Sequence, residues 1–349
     1  LWFNEAFVAT FVEQARKRRR PVRAAFPAED EAFLQHGLRV LTRSFERRGD
    51  LYYVPLWYFP EGLAEQVEPQ VIASDARQVV SPHLLAQTGQ RVITFWAPER
   101  IAAAVDSWVN LLFANVIFGL FAKWAKAETQ GRRAGGLRAL GQLLGGKAAQ
   151  QGPVSIGQGC RIDPSAVLVG PLTIGDNVTI GPGCVLSNCV IGNNVALTHG
   201  AQALMSVIGD GCFLPMGSRL SYSVLMEGTV VAQNATVEMS VVGRDSFIGA
   251  GAVLADVNLL DVPMRAELER HLVEIELPVL GGCVGHHCQI GAGLIVYPSR
   301  TIESDVVLIP TPSRRVIMKN ISYEESDHHA TRVGSTYQRL YPRADEKEW

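Results

Sequence analysis

Between Ile156 and Leu308 an aliphatic residue returns at about every sixth position, and the departures from six are themselves regular. The series opens Ile156, Ile162, Leu168, Ile174, Ile180, Leu186 and passes through Ile191, Leu197, Ala203, Ile208, Leu214 and Leu220. It continues through Leu225, Val231, Val237, Val242, Ile248 and Leu254, then resumes after a gap with Val284, Ile290, Val296, Ile302 and Leu308. A helix repeats near 3.6 residues and a strand near 2, so neither produces this period. A short strand plus a turn does, when three such units wind into one triangular coil. The pattern predicts a left-handed parallel β-helix over residues 154–315, about seven and a half coils long.

The register carries more detail. From Ile174 onward the spacing is six, six, then five, so one coil takes 17 residues and one corner is tighter than the others. Glycine follows the first aliphatic of most coils, at Gly157, Gly175, Gly192, Gly209 and Gly243. Either a positive φ or a close backbone approach would require it. The positions two before each aliphatic are small, among them Ala201, Ser206, Ser223, Ala235 and Ser240, and are expected to fill the narrow interior. Cys160, Cys184, Cys189, Cys212 and Cys288 share that position. They are therefore read as buried, reduced thiols and as neither disulfides nor metal ligands.

Outside the repeat the pattern changes. Residues 1–100 alternate helix-like and strand-like stretches, with Asn4 as a helix cap, Phe7, Val8, Phe11 and Val12 on the buried face, and a basic run from Arg16 to Arg20 closed by Pro21. Short strands are expected at Val22–Phe26, Leu51–Phe59, Gln70–Ala73 and Arg91–Trp96. Residues 101–153 hold an apolar helix, Ser107 to Lys126, and a linker with a short amphipathic helix between Gln130 and Gly152. The apolar helix is short of a membrane span. It suits packing against protein, with peripheral membrane contact through 107–126 as the other use. Residues 255–283 interrupt the repeat, and Asp261 to Glu276 is read as helical. Residues 316–349 read as an extended polar tail.

Composition narrows the classes. The chain has 349 residues, 47% hydrophobic, with a formal net charge of −2. That balance offers no general attraction to nucleic acid. The expected compartment is cytoplasmic, and the leucine at position 1 is read as other than the native start. Walker, dinucleotide-binding, zinc-protease and Ser/His/Asp signatures do not occur in the sequence.

The hexads resemble the left-handed β-helix of hexapeptide transferases, including the C-terminal part of bifunctional sugar nucleotidyltransferase/acyltransferases. Residues 1–100 look like a partial α/β nucleotidyltransferase domain, on the order of its elements and the basic turn before Val22, Arg23, Ala24, Ala25 and Phe26. That family's glycine-rich nucleotide loop has no counterpart in the chain. The stretch Val284, Gly285, His286, His287, Cys288, Gln289, Ile290, Gly291 resembles an acyltransferase motif in which a histidine is the general base. The matching residue is His286, with His287 and His199 as alternatives. His287 stands where the family has asparagine. The resemblance implies a homotrimer that moves an acyl group from acyl-CoA or acyl carrier protein to a sugar amine or hydroxyl, with no metal. An upstream nucleotidyltransferase activity would accompany it. A second reading is a catalytically silent trimeric scaffold or membrane-associated assembly subunit. The surface around His286 discriminates the two.

Overall fold

The computed structural model describes residues 1–34, 45–80, 94–121, 123, 153–259, 263–268, 271–275, 277, 279–330 and 337–344. The chain divides into two compact units, Leu1–Ala125 and Lys126–Trp349.

In the first unit, helix α1 (Glu5–Arg18) begins at Asn4, whose side chain accepts from Phe7 N at 3.0 Å. Arg19 closes it in the left-handed region at φ 52°. Phe7, Phe11 and Ala15 are buried against a four-stranded sheet in the order Glu46–Arg48, Leu51–Tyr58, Val22–Pro27, Glu68–Val71. The basic run is a solvated helix end: Lys17 pairs with Glu13, and Arg18 and Arg20 with Glu68. Thr94–Ala97 pairs with Arg77–Val80. A Ser107–Asn110 capping box starts the apolar segment, helical over Trp108–Leu112 and continuing as a π-helix over Phe113–Phe121. Most of its apolar side chains are buried within the unit. Among the described residues no helix is long and apolar enough to cross a membrane. The expected linker helix between 130 and 152 lies outside the described residues.

The second unit is a parallel β-solenoid of three eight-stranded sheets. Face one runs from Val154–Ile156 to Thr301–Ile302, face two from Arg161–Ile162 to Val307–Leu308, and face three from Val167–Val169 to Val316–Ile317. The aliphatics of the hexads stack on one another, Ile174 on Ile191, Ile191 on Ile208 and Ile208 on Leu225. Together they make one continuous core. Ile156 departs from the expected burial, with 45% of its surface exposed, because it belongs to the first described coil. The six cysteines are free, and Cys184, Cys189, Cys212 and Cys288 are fully inside. Burial pushes the Cys189 and Cys288 thiols up to about 12.

Two segments differ from the expectation. The described residues of the expected helix 261–276 form strands instead: Met264–Leu268 and His271–Ile275 pair antiparallel, Met264 opposite Ile275 and Leu268 opposite His271. The insertion's two ends are pinned side by side, by a Val257–Val279 bridge and by Leu280 N donating to Asp256 O at 2.9 Å. That start propagates as a hairpin and buries Met264, Ala266 and Ile275. The helix-forming composition is only a weak local preference, and these contacts override it. The tail is not extended over its described length either. Val316–Ile317 adds the last strand of face three, two 3-10 turns follow at Tyr323–Glu325 and Asp327–Ala330, and residues 337–344 return to the corner between faces one and two.

Candidate active site

At that corner the chain turns from Cys283–Val284 to Gln289–Ile290, and His286 and His287 stand on the turn. Stacking fixes what each position must do. The glycine ahead of the turn is required by close approach: a Cβ on Gly285 would lie 2.4 Å from Ser304 N. Positive φ falls two residues later, at Asn177 (55°), Asn194 (55°), Asp245 (54°), His287 (54°) and Asp305 (63°). Asparagine, aspartate and histidine are the non-glycine residues that enter that region most readily.

The position between them forms a ladder of side chain to backbone bonds. Asp176 Oδ1 accepts from Gln158 N at 2.6 Å, Asn193 Oδ1 from Asp176 N at 2.8 Å, and Asp210 Oδ1 from Asn193 N at 2.7 Å. His286 continues it, its Nδ1 accepting from Arg244 N at 2.9 Å, and Ser304 Oγ accepts in turn from His286 N. The motif histidine is thus a rung of the corner. Since Nδ1 accepts, the neutral ring carries its proton on Nε2. Burial first, then the Arg244 charge, hold His286 below the ordinary histidine value, so the neutral ring is favoured.

His287 has the opposite arrangement. Its Nδ1 lies 2.9 Å from Oδ1 of Asp305, one coil on, and the Asp305 side chain is fully buried. The Asp305 carboxylate also accepts from Leu340 N at 2.9 Å and Tyr341 N at 2.7 Å. An ionised carboxylate only accepts, so His287 donates from Nδ1 and its lone pair is on Nε2. The returning tail lies over both rings. Tyr337 stacks on His287 with centroids 4.9 Å apart and donates to its carbonyl oxygen; Tyr341 lies 4.6 Å from the His286 ring. Arg343 anchors this strap to Glu303 and Glu324.

The remaining sequence candidate lies apart from this pair. His199 is exposed at the corner between faces two and three. His328 is buried beside Ser326 and Tyr337, and burial followed by the His329 charge lowers its pKa. Among the described residues no three His, Cys, Asp or Glu side chains converge as a metal site. Asp305, Tyr337 and Tyr341 were not singled out from the sequence. For Asp305 a signal existed: it stands 18 residues after His287, one coil in register. The tyrosines lie beyond the repeat and carry no such signal.

Residues 153–188 match the family model of the bacterial transferase hexapeptide (six repeats). That stretch of the solenoid carries hexapeptide repeats. No curated protein matches the chain. Among solved structures it is similar to a hexapeptide transferase family protein from Anaplasma phagocytophilum, at 13% identity over 53% of this chain and 93% of that one, with a TM-score of 0.25. It is also similar to the polysialic acid O-acetyltransferase OatWY, at 18% identity over 48% of this chain and 80% of that one, TM-score 0.17. A third is a GDP-perosamine N-acetyltransferase from Caulobacter crescentus in complex with CoA and GDP-perosamine, at 17% identity over 45% of this chain and 55% of that one, TM-score 0.13. These likenesses concern the repeat fold and carry no inference about activity.

Proposed function

We propose that the protein is an acyltransferase that moves an acyl group from acyl-CoA or acyl carrier protein to a sugar amine or hydroxyl. The observation that carries this reading is the imidazole pair on one rigid corner. His286 matches the acyltransferase motif, and beside it His287 holds a proton acceptor while His286 holds a donor. A neutral imidazole acceptor near neutral pH suits removal of a proton from an attacking amine or hydroxyl. A stacked coil positions it better than a mobile loop would. The same reading takes the protein as a cytoplasmic homotrimer, with peripheral membrane contact through 107–126 as its alternative use. It also includes a nucleotidyltransferase activity, tested with a sugar 1-phosphate and nucleoside triphosphates.

The test is acyl transfer itself. The protein is incubated with acetyl-CoA and a panel of amino sugars and nucleotide sugars, and both thiol release and acylated product are measured. Acceptor-dependent thiol release is expected. Release that never exceeds hydrolysis with any acceptor or longer acyl donor sinks the proposal. The scaffold reading would then lead, favoured by a specific observation: the His286 Nδ1 is used as a structural rung and Tyr341 covers its ring. Light scattering tests the trimer separately.

A further inference from the structure

We infer that Asp305 is a positioning residue that makes His287, rather than the motif histidine His286, the general base of this corner. The inference rests on the acyl-transfer reading for the word base, and on geometry alone for the positioning.

His286 and His287 are neighbours in sequence, yet the solenoid gives them different obligations. His286 occupies the ladder position filled elsewhere by Asp176, Asn193, Asp210 and Ser304, all of which accept a backbone N–H. Its Nδ1 does the same for Arg244 N. A neutral imidazole has one donor and one acceptor nitrogen. With Nδ1 accepting, Nε2 bears the proton and has no lone pair for a substrate proton. His286 can donate a hydrogen bond but cannot serve as the base without giving up its rung.

His287 occupies the positive-φ position that Asn177, Asn194, Asp245 and Asp305 fill in other coils. Histidine holds that φ as asparagine and aspartate do, so the corner places the ring without added backbone strain. Its partner one coil on is a carboxylate with no exposed side-chain surface. Both oxygens of Asp305 are engaged by donors, Oδ1 by His287 and Leu340 N, and Oδ2 by Tyr341 N. That environment keeps the carboxylate an acceptor and fixes the His287 proton on Nδ1. The same logic holds a catalytic imidazole in its working tautomer where an aspartate backs a histidine.

The step then balances as follows. His287 Nε2 takes a proton from the acceptor amine or hydroxyl as that atom bonds to the carbonyl carbon of the acyl thioester. The His286 Nε2–H is the adjacent donor able to stabilise the oxyanion that forms. The C–S bond breaks as the carbonyl is restored, and His287 returns the proton to the leaving thiolate. No oxidant or metal enters the balance. The strap must move for this step, because Tyr337 and Tyr341 lie over the two rings. Asp305 holds the strap as well as the ring.

The experiment uses the full chain, with nitrogen-15 NMR of the histidine rings and acyl-transfer kinetics side by side. In the wild type His287 is expected as the Nδ1–H tautomer and His286 as Nε2–H. Asp305→Asn should convert His287 to Nε2–H, because an asparagine can present an N–H to Nδ1. It should also lower kcat by on the order of 10²–10⁴-fold, as general-base loss does. Asp305→Glu should retain the tautomer and recover part of the rate. His286→Gln, which keeps an acceptor for Arg244 N, should lower kcat less than His287→Gln does. Tyr341→Ala separates the two duties of Asp305: it loosens the strap and should leave the His287 tautomer unchanged.

An Nε2–H tautomer for His287 in the wild type overturns the positioning role whatever the activity. So does a tautomer indifferent to Asp305→Asn. Loss of transfer in His286→Gln with full transfer in His287→Gln overturns the assignment of the base. If wild-type protein transfers no acyl group at all, the acyl-transfer reading fails with its base. The tautomers still decide what Asp305 does.

Discussion

The interior of the solenoid and its corner between faces one and two are built by the same stacking, and they tolerate chemistry differently. Inside, every coil repeats its neighbour. Aliphatics sit on aliphatics, and one column of polar groups that enters is bonded both ways. Ser206, Ser223 and Ser240 form this column at the tight corner: Ser223 N donates to Ser206 Oγ and Ser240 N to Ser223 Oγ, both at 3.1 Å. Each hydroxyl donates to a carbonyl of its own coil. At the outer corner the backbone takes an acceptor at one position in several coils, although Arg244 fills it in another, and a positive φ at the next. Asp, Asn, Ser and His all meet the first need, and Asn, Asp, Gly and His all occupy the second. The interior therefore specifies its residues narrowly, while the corner leaves room for a functional side chain at small structural cost.

The sharpest break of that contrast is a charge in the interior. Val231 is fully buried in the common core. Val231→Asp puts a carboxylate there with no cationic partner in the core, and should cost about 3–5 kcal/mol or leave the domain unfolded. Denaturant unfolding at neutral pH checks it, and a wild-type midpoint would show the inward register to be wrong. Ser223→Ala is next. It leaves Ser240 N without its acceptor in a buried site, which should cost about 1–3 kcal/mol by the same assay.

The corner should behave otherwise. His287→Asn installs the residue that the solenoid already uses at Asn177 and Asn194, with an N–H able to reach Asp305. It keeps a donor for Asp305 and loses the Tyr337 stack, so stability should fall by only about 0.5–1 kcal/mol. If the acyl-transfer proposal is right, transfer is lost all the same. A loss of stability as large as that of Ser223→Ala would mean that the corner is as tightly specified as the interior.

This difference also governs what the sequence made legible. The core register could be read because burial on three faces imposes one period on the residues from Ile156 to Leu308, the insertion at 255–283 excepted. Positions of glycine were legible too, though of the two reasons offered the close approach at Gly285 is the one that applies. The insertion was misread because its composition favours a helix while its pinned ends and the burial of Met264 and Ile275 demand a hairpin. The strap was illegible for a related reason. Tyr337, Tyr341 and Arg343 find their partners at His287, Asp305 and Glu303, contacts 36 to 50 residues apart in sequence that no local pattern announces. His286 was legible as a motif residue, but its tautomer follows from a backbone N–H 42 residues earlier.

The smallest effect separates the two regions by pH. Burial pushes the Cys189 and Cys288 thiols up to about 12 and that of Cys212 to about 11, out of the neutral range. His286 is pushed below the ordinary value of 6.5 by burial and then by Arg244, and His328 by burial and then by His329. A histidine whose folded pKa is depressed binds fewer protons folded than unfolded. Its contribution is therefore complete above 6.5 and is lost as pH falls from 6.5 through the lower folded value. The loss has a local marker. A protonated His286 Nδ1 cannot accept from Arg244 N. The equivalent rung at Asp176 N is capped by Asn193, which does not titrate. Hydrogen exchange at the Arg244 amide should lose protection relative to the Asp176 amide as pH is lowered below 6.5. His286→Gln should abolish that difference while preserving both rungs. Equal protection of the two amides down to pH about 5 would mean that the ladder at Arg244 does not depend on the neutral imidazole.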